Sequence, residues 1–165
     1  MYQNTIKPAQ FARLDAVMQA LENPDNAQLW VSGIVALIGS DSYFRWHDSG
    51  DLQSIEHLEL IAQVCKATPK TMHWLPSREY SIVKDYAAKH GALPNNLIVR
   101  LSAMYPDKPV KIPASLATIS GITASNVHSI GAPVHGVRCI APDNDGACGD
   151  CRVCWSGSVV SYELH

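Results

Sequence analysis

Between Ser42 and Ala103 short apolar runs alternate with amphipathic ones, and this rhythm constrains the fold more than any other feature of the chain. "SYFRW" reads as a strand. After the turn "HDSGD", the segment "SIEHLELIAQVCKAT" sets Ile55, Leu58, Ile61, Ala62 and Cys65 at helical spacing, with Ser54 placed to cap its first turn. "TMHWL" reads as a second strand, "REYSIVKDYAAKH" as a helix stopped by Gly91, and "NNLIVRLSA" as a third strand. Strands joined through helices by short connections pair parallel, because each helix carries the chain back to the start of the next strand. The expected class is therefore α/β, a small parallel sheet built from β-α-β-α-β units.

The flanks read differently. "KPAQFARLDAVMQALEN" opens on Pro8 and places Phe11, Leu14, Val17, Met18 and Leu21 on one helical face, closing at Asn23-Pro24. "NAQLWVSGIVALIG" is apolar almost all round and reads as a buried helix from about Ala27 to Ile38, with a strand as the alternative. After Met104 the pattern loosens. "YPDKPVKIPASLATISG" carries three prolines and reads as a loop with one helical turn at residues 115–119, while "NVHSIGA", "GVRCIA" and "SVVSYELH" are candidate short strands. A single domain over residues 1–165 is expected, with N-terminal helices (1–42), the alternating core (43–103) and an irregular C-terminal region (104–165).

That last region holds four of the five cysteines, in "CIAPDNDGACGDCRVCW". Zinc sites commonly use two C-x2-C pairs across a loop, and the second pair is missing here. Three thiols at two-residue gaps wrap one side of a larger cubane, Cys139 can supply the fourth corner, and Gly146 and Gly149 let the backbone bend closely. The expected cofactor is a [4Fe–4S] cluster on Cys139, Cys148, Cys151 and Cys154, with Zn²⁺ as the alternative. Cys65, on an apolar helical face, reads as a buried small hydrophobe.

The three strand ends gather a second set of groups. The first supplies Arg45, His47, Asp48, Ser49 and Asp51 around Gly50, the second His73, Ser77, Arg78 and Glu79, and the third Arg100 and Ser102. In parallel α/β sheets ligands bind at carboxyl strand ends, so His47 as acid/base, Asp48 or Asp51 as its orienter and Arg45 or Arg78 as an anion clamp, beside Glu79, make a candidate catalytic constellation. The plainer readings are that Asp51 caps the following helix and that Arg78 and Glu79 form a solvated pair. His57 and His90 read as surface residues, and His128 and His135 as candidate donors to the metal site. Signatures of serine hydrolases, P-loop NTPases, zincins and dinucleotide-binding proteins are absent from the sequence. A formal net charge of −2 with 17% charged residues offers no general field for polyanions. No run of 18 apolar residues occurs, and the first ten residues carry no leader pattern, so a cytoplasmic chain without membrane contact is expected.

"FRWHDSGDLQS…HWLPSRE" and "C…GACGDCRVCW…VSYELH", in this order, resemble the phage gene product 88 family, proteins of uncharacterised function from phages, prophages and mobile elements. The resemblance runs from about Tyr43 to His165 and implies a phage or mobile-element origin and a setting in the cytoplasm of a bacterial host. Longer members carry an N-terminal cysteine-rich segment without a counterpart here. More loosely, the strand, "SGD" turn and helix are similar to part of the barrel of radical S-adenosylmethionine enzymes, with Gly50 and Asp51 nearest to that family's Gly-Gly-Glu turn. This likeness implies a partial-barrel sheet. The C-x3-C-x2-C of those enzymes, near the N-terminus, has no equivalent, since the first cysteine is Cys65. The resulting expectation is an iron–sulfur protein that acts by binding a host or phage partner, a protein or a nucleic acid. The alternative is an enzyme with a strand-end His/Asp/Arg pocket and a structural metal site.

Overall fold

The structure, a computed structural model, describes residues 2–47 and 51–164, with side chains from residue 8 onward. Two helices open the chain, α1 (Tyr2–Ala20) and α2 (Pro24–Ile38). The alternating core follows as β1 (Tyr43–Arg45), α3 (Ile55–Ala67), β2 (Met72–Ser77), α4 (Tyr80–His90) and β3 (Leu97–Ser102). Local chemistry sets the ends of these helices. The Asn26 amide donates to Asn23 Oδ1 (2.9 Å) ahead of α2, and the His57 amide to Ser54 Oγ (3.2 Å) ahead of α3. Gly91, at φ +75°, closes α4 with its amide on Ala87 O.

Beyond β3 the structure is more regular than the sequence suggests. After the short α5 (Ala114–Ala117) come β4 (Ile122–His128), β5 (Val137–Arg138), 3-10 turns at Ala141–Asn144 and Val153–Trp155, and β6 (Val160–Glu163). The sheet has six strands in the order β1-β2-β3-β4-β6-β5, and every neighbouring pair is parallel. The result is a curled α/β half-barrel, and the stretch 104–165 supplies three of its strands. β6 inserts between β4 and β5. The cysteine-rich segment is thus the crossover from β5 to β6, in the place a helix takes elsewhere in the sheet. Gly136 permits the approach to β6, since a Cβ at its φ of +123° would lie 2.5 Å from Val159 O.

Strand residues alternate between two layers. Leu75, Leu97, Val99 and Leu101 meet the helices, where Leu58, Ile61, Val64, Val83 and Leu116 complete one large core. The opposite face carries Trp74, Arg100, Ser125, Val160 and Tyr162, and the crossover covers it: Trp74, Cys154 and Val160 form a second small cluster with Cys139, Val153, Trp155 and Tyr162 against it. Trp155 Nε1–H donates to Phe44 O (3.1 Å), and the Trp155 ring meets Tyr43 edge-on, so the crossover reaches from the last strand to the first.

The N-terminal helices bury less than their patterns imply. Val17, Ala20, Val31 and Ile38 are buried, but Phe11, Met18, Leu29 and Leu37 are each more than half exposed. The cause is that only one side of this hairpin meets α3 and β1.

His73 occupies the helical layer with no exposed surface. Trp46 Nε1–H donates to its Nδ1 (3.2 Å), which leaves the proton on Nε2, 2.8 Å from Thr68 Oγ1; the Thr68 hydroxyl in turn donates to Val64 O. Burial lowers His73 from 6.5 to about 4, and His57 likewise. Below pH 6.5 the unfolded chain therefore takes up protons that the folded chain refuses. Stability is complete above that pH and declines toward pH 4, by about 2 kcal/mol per histidine after allowance for screening. Urea unfolding measured across this window should show that decline, and His73→Gln, which cannot titrate, should remove about half of it, the remainder belonging to His57.

Candidate functional site

Arg100 lies in the middle of an apolar strand and is fully buried. Its guanidinium reaches through the sheet to the end of the crossover. Nη1 donates to Ala124 O (2.7 Å) and Ser158 O (2.6 Å), and Nη2 to Val153 O, Cys154 O and Ser156 O (3.0–3.3 Å). Thr123 Oγ1 adds donation to the carbonyls of Gly157 and Ser158. One side chain therefore supplies donors to five carbonyls, four of them at the end of the crossover, where Val153 O also accepts from Ser156. No carboxylate bonds the guanidinium among the described residues, and its Nε–H is buried without a partner. Burial pushes its pKa down, and the ionisable groups beside it, Tyr162 and Cys154, are themselves raised by burial.

Beside this anchor a cavity of about 560 Å³ opens at the carboxyl ends of the strands. Cys139, Cys148 and Cys154 line it, together with Trp74, Tyr162, Arg45 and Arg78. All five cysteines are free thiols. Cys154 is buried, Cys139 and Cys151 are half-buried, and Cys148 is exposed. Cys154 Sγ lies 3.2 Å from the Tyr162 hydroxyl. Burial raises the Cys154 thiol, while the Tyr162 hydrogen bond and the Arg100 charge lower it. Trp74, 6% exposed, brings a second buried N–H without a partner, its Nε1, and carries the Arg45 guanidinium 4.7 Å above its ring. Among the described residues no group of three or more His, Cys, Asp or Glu side chains stands arranged to hold a metal ion. What the site offers is three thiols on one wall, a fourth in the same C-x2-C-x2-C run, one buried cation and two unused donors.

The other strand-end residues divide. Asp51 does not cap α3, which Ser54 does; its carboxylate ties the turn after β1 to the end of β2, accepting from the Ser77 hydroxyl (2.6 Å) and the amides of Arg78 (2.7 Å) and Leu52 (2.8 Å). Arg78 is exposed at the rim of the cysteine-lined cavity, and Glu79 precedes α4 with its amide on Ser77 Oγ. His47 turns away from Arg78 and Glu79, into a separate cavity with His57 under α1 and α2, where the Asp51 charge still acts on both imidazoles. Asp48, with Ser49 and Gly50, lies outside the described residues. His47, Arg78 and Glu79 therefore share no pocket.

Further residues depart from their sequence reading. His57 is 2% exposed and not a surface group, because α3 is enclosed on nearly every side. His90 does lie at the surface, 2.7 Å from Glu59. His128 donates from Nδ1 to Ser161 Oγ (2.7 Å), whose hydroxyl donates to Asn126, and Asn126 bonds the His135 carbonyl. Neither His128 nor His135 lines the cysteine-lined cavity. Cys65 is fully buried with its thiol pushed up to about 12, as an inert core residue. Trp74 and Tyr162 had no motif to mark them, whereas Arg100 had one signal, a lone charge inside "LIVRLS".

A family model described as gene product 88 matches residues 36–157, well over half of the chain. No curated protein and no solved structure matches, so the likeness to radical S-adenosylmethionine barrels finds no support. No helix among the described residues is long and apolar enough to cross a membrane.

The anchor yields a direct test. Arg100→Met removes a donor from five carbonyls, of which Val153 O keeps Ser156 and Ser158 O keeps Thr123, and should cost about 3 kcal/mol in urea unfolding. The loss should appear first as quenching or red-shift of Trp155, as the crossover leaves the sheet, while helical circular dichroism persists.

Proposed function

The chain belongs to the gene product 88 family, and we propose that it is an iron–sulfur protein that holds a [4Fe–4S] cluster on Cys139, Cys148, Cys151 and Cys154. The observation that carries this reading is the buried Arg100 guanidinium, set beside Cys154 with no carboxylate to balance it. A buried cation calls for negative charge nearby. The orphaned Nε–H of Arg100 and Nε1–H of Trp74 call for acceptors. A cubane with four thiolates and four sulfides is an acceptor-rich anion and meets both needs, whereas neutral thiols meet neither. A zinc tetrathiolate supplies the charge in a smaller volume and fills less of the 560 Å³ cavity.

In this reading the residues act as follows. The four thiolates would bind the iron, Arg100 and Trp74 would face the cluster's negative charge, and Tyr162 would donate to the Cys154 sulfur. The cluster would supply a rigid, redox-active clamp between β5 and β6. The protein would then act by docking on a host or phage partner, a protein or a nucleic acid. Arg45 and Arg78 at the rim would meet its acidic groups. The enzyme reading gains less, because the acid/base candidate His47 and the clamp candidate Arg78 line different cavities.

Anaerobic purification should give a brown protein with a broad band at about 400 nm and about four irons per chain. Cys154→Ser should remove both and Cys65→Ser neither. A colourless protein with one tightly held zinc, or wild-type iron content in Cys154→Ser, would sink the cluster. Chelation should loosen residues 139–163 while the helical core stays folded.

A further inference from the structure

The cysteine-lined cavity has a second wall, built by the first four strands and their ends. Arg45, Arg78, Ser102 and Ser125 line it, with Pro76 and Val127 as apolar surface. Ser77 pairs with Leu101 and Ser102 with Ser125. Arg78, Ser102 and Ser125 therefore stand in one row across β2, β3 and β4, whose backbones lie about 4.8 Å apart. The Arg45 guanidinium lies 4.7 Å above the Trp74 ring and so belongs to this face of the sheet.

Every free polar group of this wall can donate. Among the described residues Arg45 and Arg78 form no ion pair. The side-chain hydroxyls of Ser102 and Ser125 form no hydrogen bond among them either, although Ser125 is only 4% exposed. Trp74 Nε1–H, also in this cavity, is buried without a partner. The side-chain oxygens that line the cavity elsewhere are already engaged. Glu163 accepts from Arg138 Nη2 (3.2 Å), Asn126 Oδ1 accepts from the Ser161 hydroxyl, and the Tyr162 hydroxyl lies 3.2 Å from Cys154 Sγ. The Asp51 carboxylate meets Arg78 at its backbone amide and does not line the cavity. A wall with unpaired positive charge, free donors and no free carboxylate fits an anion whose oxygens only accept.

We infer that this wall binds a small phosphomonoester, its phosphoryl oxygens on Arg78, Ser102 and Ser125 and its organic group against Pro76 and Val127. Arg45 would add the second positive charge within the same cavity. A tetrahedral phosphoryl group points its oxygens in three directions and can take donors from three neighbouring strands, whereas a flat carboxylate offers two oxygens in one plane. Its charge, close to −2 at neutral pH, matches two guanidiniums. A volume of about 560 Å³ lies in the range of small-molecule sites. The donors come from β1 to β4 and the cysteines from the crossover between β5 and β6, so cluster and phosphoryl group would occupy different walls. The inference rests on the reading of this cavity as the functional site and does not require the cluster.

The probe is phenyl phosphate, titrated by calorimetry into the anaerobically purified full chain, with benzoate and benzyl alcohol as flat and neutral counterparts. One saturable site per chain is expected, with phenyl phosphate about tenfold tighter than benzoate and benzyl alcohol not bound. Arg78→Gln, at an exposed position, should weaken phenyl phosphate about tenfold, and Ser125→Ala about fivefold. Circular dichroism establishes that both variants fold. Lys66→Gln, which removes an exposed positive charge on α3 outside the cavity, should leave binding unchanged. No saturable binding at millimolar probe, benzoate bound as tightly, undiminished binding in both cavity variants, or an equal loss in Lys66→Gln would overturn the proposal. So would a 5′-phosphorylated trinucleotide bound more than about tenfold tighter than phenyl phosphate, which would assign the wall to a nucleic-acid end. The two readings fail separately. A brown protein that ignores phenyl phosphate keeps the cluster and loses this site, and a colourless one that binds it does the reverse.

Discussion

One buried guanidinium joins the two halves of this molecule. Arg100 belongs to the third strand of the regular β-α-β-α-β core, yet the groups it bonds belong to β4 and to the turn that ends the cysteine-rich crossover. Without a donor there, that turn would expose several carbonyls to a sheet face that offers no water. The cost of burying the charge is met in part by those carbonyls, while the Nε–H is left without a partner. The same residue that closes the fold thus sets the electrostatic condition for whatever occupies the neighbouring cavity.

The alternating core was legible because each of its layers is apolar on the side that matters. Ile55, Leu58, Ile61 and Cys65 repeat at helical spacing, and Leu97, Val99 and Leu101 at strand spacing. β4 was not legible from its start. Its buried residues are Thr123, Ala124, Ser125, Asn126 and His128, which compete for local hydrogen bonds and read as a turn. They are strand residues here because tertiary partners satisfy them: Gly157 and Ser158 for Thr123, Ser161 and His135 for Asn126, Ser161 for His128. A polar strand buried on both faces carries no period for a sequence reading to find.

The cysteine spacing marked the C-terminal site, but the strand-end groups fell out differently from their order in sequence. "RWHDSGD" places His47 four residues from Asp51, and the fold gives them different partners while the Asp51 charge still acts on His47. Asp51 closes a turn with three hydrogen bonds, and His47 enters the cavity under the N-terminal helices. Proximity along the chain says nothing about facing when the backbone passes through a left-handed residue, as it does at His47. Among the described residues Arg45 alone borders both cavities, so β1 is the wall between them.

The order of strands also sets the order in which the molecule can be finished. β6 follows every other strand along the chain, yet it lies inside the sheet, between β4 and β5, and Trp155 bonds a residue 111 positions earlier. A nascent chain can assemble β1 to β4 with their helices, but its concave face, with Trp74 and Arg100, stays open to water until the crossover and β6 leave the ribosome. Synthesis that stops short of β6 therefore yields a half-closed sheet with an uncovered edge, which is a substrate for chaperones and proteases. The sheet is thus shut only in a chain that has been made through β6.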